Sequence, residues 1–189
     1  MSLWEWIFGR VAQAAPDPAS DVLGAATLPA PALIPVSAIG DLPSLSEAAI
    51  ALVKKWEGFC AAPYLCPAGI PTIGYGATFY LDGRKVTLAD KPISEADAAA
   101  LLRKMASKFA ADVLGMVKVP LSANELGALT SFAYNLGADA LRDSTLLEKL
   151  NASDRTGAAA EFGKWVKAGG RTLPGLVSRR ADEAAMFRA

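Results

Sequence analysis

Histidine is absent from all 189 residues, which removes Ser-His-Asp and Cys-His nucleophile systems, HExxH metalloprotease sites and imidazole metal ligation. An enzyme made from this chain must run its proton chemistry on carboxylates, thiols or hydroxyls. Cysteine occurs twice, too few for a four-cysteine zinc site, and one possible bridge is no disulfide framework. The core is therefore expected to hold the fold, with no metal and no cofactor. An excess of either charge is missing as well: 19 Lys and Arg balance 19 Asp and Glu, so no nucleic-acid partner is expected. What is present is a chain 52% hydrophobic and 20% charged, the composition of a compact protein. Its length suits one well-filled domain, or a domain of about 140 residues with a tail.

Composition shifts near Ser46. The first 46 residues hold six of the twelve prolines but only five charges, Glu5, Arg10, Asp17, Asp21 and Asp41. Residues 1–46 are expected to form an extended, proline-stiffened leader, and 47–189 the globular domain. Val22 to Gly40 is uncharged and long enough to span a bilayer, but Pro29, Pro31 and Pro35 argue against a stable transmembrane helix. Glu5 precedes the only early base, Arg10, and the apolar cluster there is too short for a secretory signal. The Trp4, Ile7, Phe8, Val11 stripe offers a second reading, a short amphipathic anchor for a partner or membrane surface.

From Ser44 the local signals agree with one another. Ser44 and Glu47 read as a capping box ahead of Ile50, Val53 and Trp56, and Gly58 stops that helix at Glu57. Over 63–88, Gly69, Pro71, Gly74 and Gly76 break helices, while Thr72, Ile73, Tyr75, Phe79 and Tyr80 favour strands. Asp82-Gly83 between Phe79–Leu81 and Val86–Leu88 predicts a hairpin turn. Ser94 with Asp97 opens a helix whose Leu101, Met105, Phe109 and Val113 form a core stripe. Ser122 with Glu125 caps another, with Leu121 and Leu126 as a hydrophobic staple, inner residues Leu129, Ala133 and Leu136, and an end at Gly137. Shorter helices are predicted around 145–151, 155–167 and 175–188. The fold class is α+β: one helix, a small β-ribbon, then a mostly helical lobe.

The segment from Trp56 to Gly76 joins a helix end to a ribbon rich in glycine and aromatics, material for a flat-faced cleft suited to sugar rings. Glu57 sits at the negative end of the helix dipole beside Trp56 and Phe59, where field and desolvation both favour the protonated form. A general acid needs that form. Alone, such a residue would more often be a solvated glutamate finishing a lysine-bearing helix.

Glu57, Cys66 nine residues on and Thr72 six further resemble the signature of the phage-type lysozymes of glycoside hydrolase family 24, where the second position is Asp or sometimes Cys. The resemblance continues through Thr72-Ile73-Gly74-Tyr75-Gly76, Ser131 to Gly137, Ser144-Thr145-Leu146-Leu147, Trp165, Gly169-Gly170, Leu173, Gly175-Leu176 and Arg179-Arg180 with Glu183, over about residues 46–189. It implies a lysozyme-like fold and hydrolysis of the β-1,4 bond between N-acetylmuramic acid and N-acetylglucosamine in bacterial peptidoglycan. Glu57 would protonate the leaving oxygen, with a water held at the second and third positions. Cys66 departs from the usual Asp, and a thiol ordinarily ionises near ~8.5. Three roles stay open for it: a thiolate base assisted by Thr72, which is the favoured one, a nucleophile at C1, or a spacer beside water held by Thr72. A noncatalytic peptidoglycan-binding module is the alternative from a different class.

Tyr64, Tyr75, Asn135 and Trp165 are candidates for substrate contact or cleft structure. Ala77 stands where many relatives carry His, and is expected to be peripheral. Arg179 and Arg180 could meet substrate carboxylates, but read more simply as a solvated face or as ion pairs with Asp182 or Glu183. The resemblance also implies synthesis in a bacterial host cytoplasm, action on the periplasmic wall, a monomeric catalytic domain, and a leader that could dock on a virion component, another protein or a membrane surface. Some related enzymes are held inactive by a disulfide to the catalytic Cys, which raises a Cys60–Cys66 bridge as a possible switch. An extended strand between the two would put their Cα atoms roughly 20 Å apart, whereas a disulfide needs ~7 Å or less.

Overall fold

The computed structural model describes residues 43–189 except Pro67, together with the backbone of a short strand, β1 (Leu33–Ile34). The Trp4 to Val11 stripe and the rest of the Val22 to Gly40 run lie outside the described residues. No helix among the described residues is long and apolar enough to cross a membrane.

The first helix, α1 (Glu47–Glu57), is capped by Ser46, whose hydroxyl accepts the Ala49 N–H. The expected Ser44–Glu47 box is not the one used. Glu47 instead pairs with Arg103 at 2.6 Å, so its carboxylate is engaged across the domain rather than at its own helix start. Gly58, at φ 70°, ends α1 where expected. The antiparallel ribbon pairs β2 (Cys60–Leu65) with β3 (Pro71–Gly74), and thus starts earlier than the composition suggests. The turn at Asp82-Gly83 forms, with the Tyr80 N–H bonded to Arg84 O and the Gly83 N–H to Tyr80 O, but its flanks make only a single bridge, Phe79 to Lys85. Asp90 accounts for that: its carboxylate accepts from Thr87 N–H, Tyr80 Oη and Arg84 Nη1, folding the chain back before a second strand can extend. Ala77, expected at the periphery, is buried with Ile73, Val86 and Leu101 in the small lobe's own core.

The long helix α2 (Glu95–Met116) starts at Ser94 as predicted. Its sealed face is rotated from the expected stripe: Leu101 and Val113 are buried, Met105 and Phe109 only half so, and Ala98, Leu102, Ala106 and Ala110 complete it. After β4 (Leu121–Ser122), which pairs with β1, comes the central helix α3 (Ala123–Leu136). Its Ser122–Glu125 capping box is complete, both bonds being present. The staple residues Leu121 and Leu126 belong to the main core, and Gly137 ends the helix at φ 91°. Gly127 of α3 permits contact with α1, since a Cβ there would lie 2.6 Å from the Cβ of Ala49.

Around α3 pack α4 (Ala138–Arg142), α5 (Thr145–Asn151), α6 (Arg155–Glu161) with a 3-10 turn at Phe162–Lys164, and α7 (Pro174–Arg188). A two-residue hairpin, β5 (Lys167–Ala168) with β6 (Arg171–Thr172), occupies the end of the segment expected to be helical. Gly169 and Gly170 both adopt positive φ there, which turns the chain and excludes a helix. The result is the expected α+β, lysozyme-like arrangement of a small β-lobe and a larger helical lobe.

Candidate active site

Glu57 is the last residue of α1 and only 8% exposed. Its Oε1 accepts from Arg179 Nη1 at 2.8 Å. Burial raises the carboxyl above its ordinary range; Arg179 pulls the other way, and the net direction is upward. The upward direction expected from dipole and desolvation is thus kept despite an opposing cation that the local sequence does not announce.

That cation overturns the surface reading of the arginine pair. Arg179 and Arg180 are 0% and 1% exposed. Arg179 Nε donates to Glu183 Oε1 at 3.0 Å and Nη2 to Ser131 O at 3.1 Å. Arg180 lies 3.1 Å from Glu183 Oε2, donates to Asn135 Oδ1, and stands over the Phe132 ring. Of the two acids named as partners, Glu183 is the one used. Asp182 accepts from Lys55 Nζ and Trp56 Nε1 instead, fastening the end of α1 to α7 one residue from Glu57. A signal was available: Leu176, Arg179, Arg180, Glu183, Ala184 and Phe187 fall on one helical stripe, and all six are buried.

Across the ribbon, Cys66 and Thr72 are tied to one carbonyl. Ile70 O accepts the Cys66 N–H at 3.0 Å and the Thr72 hydroxyl at 2.9 Å. Thr72 pairs with Tyr64 in the β2–β3 register, and both Cys66 and Thr72 are buried. The Thr72 hydroxyl has its proton directed at Ile70, so toward a water it offers lone pairs. Tyr64 is half-buried within electrostatic reach of Glu57, Cys60 and Cys66, and burial raises its hydroxyl above the ordinary range. Cys60 and Cys66 are free thiols, the first opening β2 and the second one residue past its end. Bridging them would require β2 to be dismantled.

The remaining candidates are more deeply built in. Tyr75 donates to Glu95 at 2.8 Å, stacks on Phe59 at 5.6 Å and lies under Lys54. Asn135 is buried as acceptor for Arg180, and half-buried Trp165 meets Phe132 edge-on at 5.3 Å. Tyr134, not singled out from sequence, links the lobes by donating to Tyr75 O at 2.9 Å. Its hydroxyl lies within electrostatic reach of Glu57 and Tyr64, and burial holds its proton. Among the described residues no group of three His, Cys, Asp or Glu could hold a metal.

The buried Glu57 carboxyl at the end of α1 thus precedes a ribbon that ties the Thr72 hydroxyl and the Cys66 backbone to one carbonyl. The family model described as Phage lysozyme matches residues 54–183, more than half of the chain, and the chain belongs to that family. It is a lysozyme that hydrolyses the peptidoglycan of the bacterial cell wall. The chain is 42% identical over 147 residues to the endolysin of Acyrthosiphon pisum secondary endosymbiont phage 1, covering 76% of this chain and 97% of that one. To the endolysin of Bacillus phage B103 it is 39% identical over 144 residues, spanning 76% of this chain and 54% of that longer one. A crystal structure of a point mutant of P22 lysozyme superposes with a TM-score of 0.71 at 33% identity over 78% of this chain and 99% of that chain.

Proposed function

We propose that the chain cleaves the β-1,4 bond between N-acetylmuramic acid and N-acetylglucosamine, with Glu57 as the general acid. The observation that carries this reading is the buried Glu57 carboxyl, raised by desolvation at the end of α1. Glu57 protonates the leaving oxygen. The Cys66 thiolate takes a proton from a water that Thr72 holds through its lone pairs, and the water attacks the far face of the sugar with inversion. Tyr64 and Trp165, half-buried, are the contacts offered to the sugar chain, while Tyr75 and Asn135 support the site from behind.

Glu57→Gln should lower hydrolysis of purified sacculi by ~10² to 10⁴, read as turbidity loss and as released muropeptides. Retention of more than about a tenth of wild-type activity would remove Glu57 as the acid. Proton NMR of the first product decides between base and nucleophile: an inverted anomer fits the thiolate base, a retained one makes Cys66 the nucleophile.

Residues 1–46 form a leader, of which Leu33–Ile34 pairs with β4, and 47–189 a monomeric catalytic domain, made in a bacterial host cytoplasm and acting on the periplasmic wall. The leader docks on a virion component, another protein or a membrane surface. Its proline content and low charge support an extended tether, and copurification with particles, membranes or neither assigns its use.

A further inference from the structure

The charges behind Glu57 form a closed set. Arg179 presents its guanidinium to Glu57 Oε1, Glu183 Oε1 and Ser131 O, at 2.8, 3.0 and 3.1 Å. Glu183 Oε1 also accepts from Ser131 Oγ at 2.7 Å. Arg180 Nη1 faces Glu183 Oε2 at 3.1 Å as an ion pair, and among the described residues neither that oxygen nor Arg180 Nε and Nη1 has a hydrogen-bond partner. Two acids and two arginines, all buried, therefore balance when Glu57 is ionised and carry one net positive charge when it is protonated.

We propose that Glu183 is a positioning residue for the general acid, holding and partly neutralising Arg179 so that Glu57 keeps its proton at the pH of catalysis. The proposal rests on Glu57 being that acid. Glu183 acts through Arg179, to which it is bonded at 3.0 Å. A guanidinium beside a carboxylate favours the ionised form, which is wrong for a proton donor. Its fork is rigid, and with the Nε edge fixed by Glu183 the Nη1 edge is aimed at Glu57. Glu183 supplies the second negative charge that shares Arg179, and its field acts on Glu57 in the upward direction. The other groups facing Glu57 are Arg180 from α7, Tyr134 from α3 and Tyr64 from β2. On α1 itself Lys54 and Lys55 are engaged by Glu95 and Asp182. Facing Glu183 are Arg179, Arg180, Ser131 and, through Arg179, Glu57.

The test is a carbon-13 NMR titration of the Glu57 carboxyl in the full chain, assigned by its loss in Glu57→Gln, alongside kcat and KM on soluble glycan strands. In Glu183→Gln the Glu57 carboxyl should titrate about one to two pH units lower. At pH values above the Glu57 midpoint of the wild type, kcat should fall by roughly ten- to a hundredfold, since there each unit removes about nine-tenths of the protonated form, with KM little changed. Adding Arg180→Met to Glu183→Gln restores the charge balance and should return the titration toward wild type, which a merely structural role for Glu183 would not do. An unchanged Glu57 titration in Glu183→Gln, or a double variant that titrates like the single, overturns the proposal. If Glu183→Gln does not fold, the double variant is compared with Arg180→Met alone: Glu57 must titrate lower in the double, and equal values overturn the proposal. Full activity in Glu57→Gln would overturn the acid assignment, leaving the titration result standing by itself.

Discussion

Cys66 is the proposed base, and substitution at that one position tests the role directly. It is buried and shares the Ile70 carbonyl with Thr72. Cys66→Ala should lose roughly 10² or more in kcat if the thiolate is the base. Cys66→Asp should stay active and work at lower pH, because a carboxylate ionises near ~3.9 and a thiol near ~8.5. Paired pH–rate profiles on the same substrate check both, and an alanine variant equal to wild type would leave Thr72 alone to hold the water. The spacing of Glu57, Cys66 and Thr72 is visible as a pattern along the chain, and the ribbon brings Cys66 and Thr72 to one carbonyl. The ion pairing of Arg179 and Arg180 with Glu183 was legible, but their burial was not, because two adjacent arginines resemble a solvated face, and the further partners Glu57 and Ser131 are remote in sequence. Only their coincidence with Leu176 and Phe187 on one stripe betrayed them.

At the scale of elements, caps read well wherever the hydroxyl has one local acceptor role to fill. Ser94 and Ser122 sit where their motifs place them, whereas the Ser44 box lost to Ser46 because Glu47 was drawn to Arg103. The hairpin at 79–88 was overread for a similar reason, a side chain, Asp90, outcompeting strand pairing. What no pattern announces is how closely elements approach. Gly127 lets α3 touch α1 at Ala49, and α1 delivers Glu57. Gly127→Ala must push the helices apart, with a cost of about 1–3 kcal/mol. Denaturant unfolding should show that loss, and activity should fall in parallel as the Glu57–Arg179 contact is displaced. A variant with wild-type stability would mean that α1 yields without strain.

Over the whole molecule, two carboxyls set opposite slopes of stability against pH, and they sit in different lobes. Asp90, in the small lobe, ionises at about 2 instead of 3.8, held chiefly by the Thr87 N–H and helped by Arg84 and Tyr80. A depressed carboxylate contributes stability that is fully present above pH 3.8 and lost as pH falls through 2. Glu57 is shifted upward from 4.5 by burial. Its contribution is fully present below pH 4.5 and lost as pH rises through the raised value. The proposed acid is thus held against the neutral-pH stability of the fold. Melting temperatures of wild type, Glu57→Gln and Asp90→Asn, followed from pH 2 to 8, separate the two. Wild type should lose ground to Glu57→Gln as pH climbs from 4.5 toward neutrality, because the amide cannot ionise and its oxygen can still accept from Arg179 Nη1. The deficit of Asp90→Asn at neutral pH should shrink as pH drops from about 4 toward 2, where wild-type Asp90 takes up its proton. If the Glu57→Gln and wild-type curves run parallel throughout, Glu57 does not titrate differently in the folded and unfolded states, and the buried carboxyl would lack the proton affinity on which its role as acid depends.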